Sequence, residues 1–249
     1  MKRPRLIAGL LVCLGQVACG GLPSNLGGNP PPPSAAIKFV QTANFTSQSP
    51  NPTSTYSLAL SGSVTKGDFI VLVFWRNHAL NDPGIVSVGD SSSDAYIKAV
   101  QVDQSPNDSA WIYYANNVAG GVVTATVTVD VAGTTSFDMA ITEYSGIIGL
   151  DATMTSVSPV DPPSSLTSFN SGNAMTQFAD ELLVGVGLID IQKVSAGAGF
   201  TSRFTKDYFC VEDNIVASKG SYNAPFTTDI TGLPNIAQYG SGAAIATFH

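Results

Sequence analysis

Two stretches of this chain are apolar on both sides of an extended backbone: Phe69-Ile-Val-Leu-Val-Phe-Trp75 and Leu182-Leu-Val-Gly-Val-Gly-Leu-Ile189. Successive side chains of a strand point to opposite faces, so a strand with no polar face has to be covered on both. The two runs therefore read as central strands of a layered β-structure. The rest of residues 37–249 agrees. No run of 3.6-residue periodicity appears, and short β-rich segments recur between clusters of Gly, Asn, Asp, Ser and Pro. The sequence predicts strands at 38–43, 55–60, 68–76, 84–89, 95–102, 109–115, 121–131, 136–144, 151–157, 180–190, 199–205, 208–218 and 240–248. In Val123-Thr-Ala-Thr-Val-Thr-Val129 the threonines form one face and Val or Ala the other, the pattern of a half-exposed strand. The expected fold class is all-β: a β-sandwich, jelly-roll-like, of about 12–14 strands.

A weak echo divides this region into two related halves. Gly67-Asp68 before the first apolar run matches Asp180-Glu181 before the second. Tyr96 aligns with Phe200, and Trp111 with Ile215 at the same spacing.

The segments Trp111-Ile-Tyr-Tyr-Ala-Asn-Asn-Val-Ala-Gly-Gly121, Ile141-Thr-Glu-Tyr-Ser-Gly146, Ala198-Gly-Phe-Thr-Ser-Arg203, Lys219-Gly-Ser-Tyr222 and Ala246-Thr-Phe248 are similar, as a set, to a β-sandwich module of secreted and surface proteins of environmental bacteria. The resemblance implies the fold and adds no catalytic residue.

The first nineteen residues, MKRPRLIAGLLVCLGQVAC, have a basic start and an apolar run too short to span a bilayer, the proportions of a signal peptide. Gln16-Val17-Ala18-Cys19 resembles the lipobox of bacterial lipoproteins, which implies acylation of Cys19 and cleavage before it. Gln16 departs from the usual Leu, so ordinary signal cleavage at the same place is the alternative. Gly20 where inner-membrane retention would want Asp implies an exported protein of the outer membrane or cell surface. Residues 20–36 are a Gly/Pro-rich linker with Pro30–Pro33 as a stiff element, reaching at most about 50–60 Å. Residues 37–249 read as one domain.

Charge narrows the partners. Lys2, Arg3 and Arg5 precede every acidic residue, which leaves the domain eight basic against eighteen acidic side chains, a net −10. Nucleic acid is disfavoured as a partner, and anionic lipid surfaces are repelled. The expected partners are the membrane through the Cys19 anchor, and a glycan or another envelope protein. Cys210 is left alone in the domain, in an apolar-polar strand pattern, and reads as an inert thiol.

No Gly-x-Ser-x-Gly, Walker loop, His-Glu-x-x-His or Cys-x-x-Cys occurs. His78 and His249 are the only histidines, too few for a histidine metal cluster. Among carboxylates Glu143 is the candidate for acid catalysis, since it alternates in phase with Phe137, Met139 and Ile141; Glu212-Asp213 sit mid-strand. Glycoside hydrolysis would need a second carboxylate roughly 5–10 Å away on a concave face. Asp90, Ser92 and Asp94 place oxygens at i, i+2 and i+4 as calcium loops do, although the sixth-position Gly and twelfth-position Glu are missing and a hairpin turn accounts equally for them. Trp75, Trp111, Tyr113, Tyr114 and Tyr144 are the aromatic side chains that could stack on a sugar, with core packing as the alternative for each. The sequence thus favours a non-enzymatic surface module for adhesion, scaffolding or glycan binding. The alternative is a carboxylate-dependent hydrolase or lyase.

Overall fold

The computed structural model describes residues 36–48, 54–77, 84–105, 108–129, 136–158, 167–189, 193–229 and 240–249. The segment expected to be a signal peptide, Cys19, residues 20–35 of the expected linker and His78 lie outside the described residues. Ser34–His249 forms one compact unit. Its described residues are all β, as the sequence predicts.

The first half contributes β1 (Lys38–Gln48), β2 (Thr55–Ala59), β3 (Phe69–Asn77), β4 (Ile85–Asp90), β5 (Ile97–Ser105), β6 (Asp108–Ala115), β7 (Thr124–Val129) and β8 (Ser136–Ser145). The second half contributes β9 (Leu150–Ser158), β10 (Ser168–Asn170), β11 (Ala174–Met175), β12 (Glu181–Ile189), β13 (Lys193–Ala196), β14 (Thr201–Lys206), β15 (Phe209–Val216), β16 (Ser221–Tyr222), β17 (Pro225–Asp229) and β18 (Ser241–Phe248). This exceeds the expected 12–14 strands because β10, β11, β13, β16 and β17 have two to five residues each, too short for an alternation pattern to register.

The halves share one strand order. In the first, β1-β8-β3-β6-β5 form a large sheet and β2-β7-β4 a small one. In the second, β9-β18-β12-β15-β14 and β10-β17-β13 repeat that arrangement strand for strand. The pairing in each half is nested, first with eighth, second with seventh and third with sixth strand, with β5 paired to β6 on the large sheet. The irregularities repeat too. One bulge falls between Lys98 and Val100 and its counterpart between Ser202 and Phe204. A second falls between Phe39 and Gln41 on β1, and its counterpart at the Thr247/Phe248 pairing of β9 with β18. A bulge redirects every side chain after it, so its repetition at matched positions is a strong sign of a duplicated unit.

Where the sequence expects one sandwich, the structure stacks two. The large sheets face each other across the central core, which holds Phe69, Val71, Val73, Ile112 and Tyr114 from one side and Leu182, Val184, Val186, Val211 and Phe248 from the other. Each small sheet covers the outer face of its own large sheet. Tyr56, Val127, Leu72, Phe74 and Trp111 fill the first outer core; Leu183, Val194, Cys210, Phe226 and Ile245 fill the second. This is why β3 and β12 are apolar on both faces: each lies between two packed layers. In β7 the threonines face out and Ala125, Val127 and Val129 face in. Gly187 lets the second outer layer approach, since a Cβ there would sit 2.6 Å from the Phe226 ring.

The match between halves corrects part of the sequence echo. Tyr96 with Phe200 agrees with the structure, where Ile97 and Thr201 open matched strands. Trp111 does not match Ile215. Tyr114 and Asp213 occupy equivalent places opposite Ile97 and Thr201, so the counterpart of Trp111 is Cys210. Asp68 likewise corresponds to Glu181, because Phe69 and Leu182 pair with the equivalent residues Tyr144 and Phe248.

Candidate functional site

β1, β3, β5, β9, β12 and β14 all run from one end of the stack, here called proximal, to the other, distal end. Nine residues of β12 span about 30 Å. Each end carries an opening between the halves.

The distal opening is a cleft of about 210 Å³ lined by Trp75, Asn77, Gln104, Asp108, Ser136, Ile189 and Tyr208. Trp75 and Asn77 come from the end of β3 and Asp108 from the start of β6, where Asn77 and Asp108 are cross-strand partners. The Asn77 amide donates to Asp108 Oδ1 at 3.0 Å, which fixes both planar groups at the rim. Gln104, near the end of β5, donates through Nε2 to the Gly240 carbonyl at 2.7 Å. From the second half Ile189 ends β12, and Tyr208 projects from the tight β14–β15 turn, where Asp207 has φ 35°. Tyr208 is 39% exposed and Trp75 7%. The lining thus pairs two aromatic rings with amide, carboxylate and hydroxyl groups.

The proximal opening, about 140 Å³, is apolar and lined by Ile37, Gly146, Ile148, Phe178, Ala179, Asp180 and His249. The His249 ring meets the Phe178 ring edge-on at 3.7 Å, and its Nδ1 is buried without a hydrogen-bond partner.

Glu143 lies in neither opening. It is fully buried, and it accepts hydrogen bonds from Gln41 Nε2 at 2.6 Å and the Thr65 amide at 2.9 Å. A second carboxylate is present, but in hydrogen-bond contact rather than across a water-sized gap: Asp68 is pushed up to about 6 by burial and then by the hydrogen bond and charge of Glu143. The second half holds an acid pair of its own: Glu181 accepts from the Phe178 amide at 2.9 Å and is raised by burial, with Asp151 nearby. The two pairs pin the same loop, at Thr65 and Phe178, from different positions: Asp68 and Glu181 are equivalent, whereas Glu143 corresponds to Thr247. Neither pair has the open geometry that glycoside hydrolysis requires.

The aromatic candidates are likewise occupied. Trp111 stacks on Phe74 at 5.3 Å in the first outer core, beneath the small sheet β2-β7-β4. Tyr113 is half-buried and also stacks on Phe74. Tyr114 lies between Phe69 and Phe248. Tyr144 is 1% exposed and donates its hydroxyl to Asp213. Asp213 also accepts from Arg203 Nε at 2.8 Å, and the Arg203 guanidinium sits 3.7 Å over the Phe39 ring. This chain Tyr144–Asp213–Arg203–Phe39 locks the two halves together. Burial and the neighbouring Asp213 hold the Tyr144 hydroxyl well above its ordinary range.

Asp90, Ser92 and Asp94 form a turn. Asp90 Oδ1 accepts from the Ser92 and Asp94 amides at 2.9 and 3.1 Å, and Oδ2 from the Tyr96 hydroxyl at 3.1 Å. Asp94 Oδ1 accepts from the Ala119 amide at 2.8 Å. The Asp90 lone pairs are thus directed at N–H and O–H donors. No group of three or more His, Cys, Asp or Glu side chains able to hold a metal ion occurs among the described residues. Cys210 is buried, and burial pushes its thiol up to about 12.

No motif or periodicity in the sequence marks the distal cleft. Its residues lie at the ends of five different strands and one turn, and only Trp75 carried a signal of its own. No family model matches the chain, and no match is found among curated proteins or solved structures. The class of molecule rests on the fold alone: an all-β protein of two repeated, stacked sandwiches.

Proposed function

We propose that this protein is a non-enzymatic, envelope-anchored surface module that binds the end of a glycan chain in the distal cleft. The observation that carries the reading is the pairing of Trp75 and Tyr208 with Asn77, Gln104, Asp108 and Ser136 around one small opening. Sugars present apolar C–H faces beside dense hydroxyls, and aromatic rings with planar amides and carboxylates answer both. The volume is below that of drug-sized pockets and suits one or two sugar rings. Asp108 and the net −10 of the domain disfavour uronic or sialic acids, so a neutral sugar is the expected ligand. The lipobox-like Gln16–Cys19 and the linker support a tethered location.

A glycan array probed with the Ser34–His249 unit tests the ligand. Neutral oligosaccharides should be retained, and Tyr208→Ala should weaken retention at least tenfold, about 1.4 kcal/mol, while leaving the melting temperature nearly unchanged. Loss of no affinity in that variant, or cleavage of any retained polymer, would sink the reading. The anchor is tested separately: Cys19→Ala should abolish incorporation of labelled palmitate and release the protein from membranes.

A further inference from the structure

We infer that the proximal end of the domain docks directly on a lipid bilayer, so that the distal cleft faces outward. Exposed large apolar side chains gather at this end: Ile97 opens β5, Val122 precedes β7, Ile148 precedes β9, Phe178 precedes β12, and Ile215 lies near the end of β15. Ile148 is 70% exposed and Phe178 46%, and both flank the apolar opening. An isolated exposed Ile is unremarkable, but a cluster around an apolar opening marks a contact surface.

The occupant follows from where the chain enters. Ile37, the residue before β1, lines the same opening. The linker therefore delivers the domain to the membrane with this end nearest the anchor. Such a short tether holds the patch at high local concentration against the bilayer, so a weak apolar contact suffices to orient the domain. The net −10 repels anionic headgroups, which leaves the apolar side chains to make the contact. The orientation and the choice of a bilayer as occupant rest on the anchored location proposed above; the apolar patch itself does not, and the two fail separately in the experiment.

The chain Gly20–His249, which contains the whole compact unit, is given an N-terminal hexahistidine tag and held on phosphatidylcholine vesicles doped with nickel-chelating lipid. The tag replaces the acyl group, so the result does not depend on Cys19. Hydrogen exchange is compared on vesicles and in solution, for the parent and for Ile148→Ser with Phe178→Ser. Exchange at 146–149 and 175–180 should slow at least fivefold on vesicles, with Tyr208 and its turn unchanged. The double variant should melt like the parent and lose the slowing. Absence of slowing, slowing at the distal end, or slowing that persists in the double variant overturns the inference. So does slowing that appears without vesicles and grows with protein concentration, which would make the patch a contact between copies. Failure of Cys19 to take palmitate would remove the anchor and leave this result standing.

Discussion

Raising the pH from 6 to 9 should destabilise this protein through Glu212. The side chain is fully buried on the second outer core, beside Cys210 and Asp213. The Gly197 amide donates to Oε2 at 2.8 Å, whereas Oε1 is buried with no partner. Burial is the main cause that pushes the carboxyl up to about 8, from an ordinary value of 4.5. The folded state therefore keeps a proton that the unfolded chain has released. Stability is full below pH 4.5, falls as the pH rises above that value, and stops falling above the folded value near 8. Between pH 6 and 9 the loss from this group is about 2.5 kcal/mol, obtained from the two pKa values at 1.36 kcal/mol per unit. Asp68 and Asp138, raised by burial to about 6, complete most of their contribution below this window. Urea unfolding at pH 6, 7, 8 and 9 measures the slope. For a unit of this size the melting point should drop about 5–10 °C. Glu212→Gln keeps an acceptor for Gly197 and cannot ionise, so its stability should be nearly flat over the same range. A parent without the loss, or a Gln variant that retains it, would refute the assignment.

Three further outcomes are expected. Asp213→Ala strips the acceptor from both Tyr144 and the partly buried Arg203 and should cost about 3 kcal/mol in urea unfolding, with Asp213→Asn costing less because it still accepts from Tyr144. Gly187→Ala drives a methyl into the Phe226 ring and should cost about 1–3 kcal/mol, partly recovered by adding Phe226→Leu. Asp90→Ala removes the acceptor for the Ser92 and Asp94 amides and should lower stability by about 1 kcal/mol; calcium, magnesium and EDTA at matched ionic strength should give the parent one melting temperature, and a calcium-specific rise lost in Asp90→Ala would restore the cation-loop reading.

Central strands were legible because a strand covered on both faces has no polar side to disguise it; β3 and β12 stood out for that reason. The alternation of β7 likewise announced which face is wet. The second layer of sandwich was not legible. Its small sheet, β10-β17-β13, is built from short segments, and nothing local tells Trp111 apart from an exposed ring until β7 is known to lie over it. Register failed for a related reason. A strand buried on both faces carries no polar side to mark its phase, so Trp111 aligned with Ile215, five residues beyond Cys210 and on the opposite face, and only the shared bulges and the central core decide. The distal cleft was hidden because its residues converge from strand ends between 75 and 208, and convergence of that kind belongs to topology rather than to any window of sequence.

The strand order also governs how the chain can fold. Each sheet draws every one of its strands from a single half, so β1 to β8 can complete their ladders before β9 to β18 have been made, and the reverse. What joins the halves is side-chain packing of Phe69, Tyr114 and Phe248 and the Tyr144–Asp213–Arg203 chain. Refolding should therefore show two timescales, zippering within a half and then docking. Between them a half stands with an aromatic face uncovered, able to capture the same face of another molecule. At high chain concentration, that interval is when the chain is most open to exchanging halves with its neighbour.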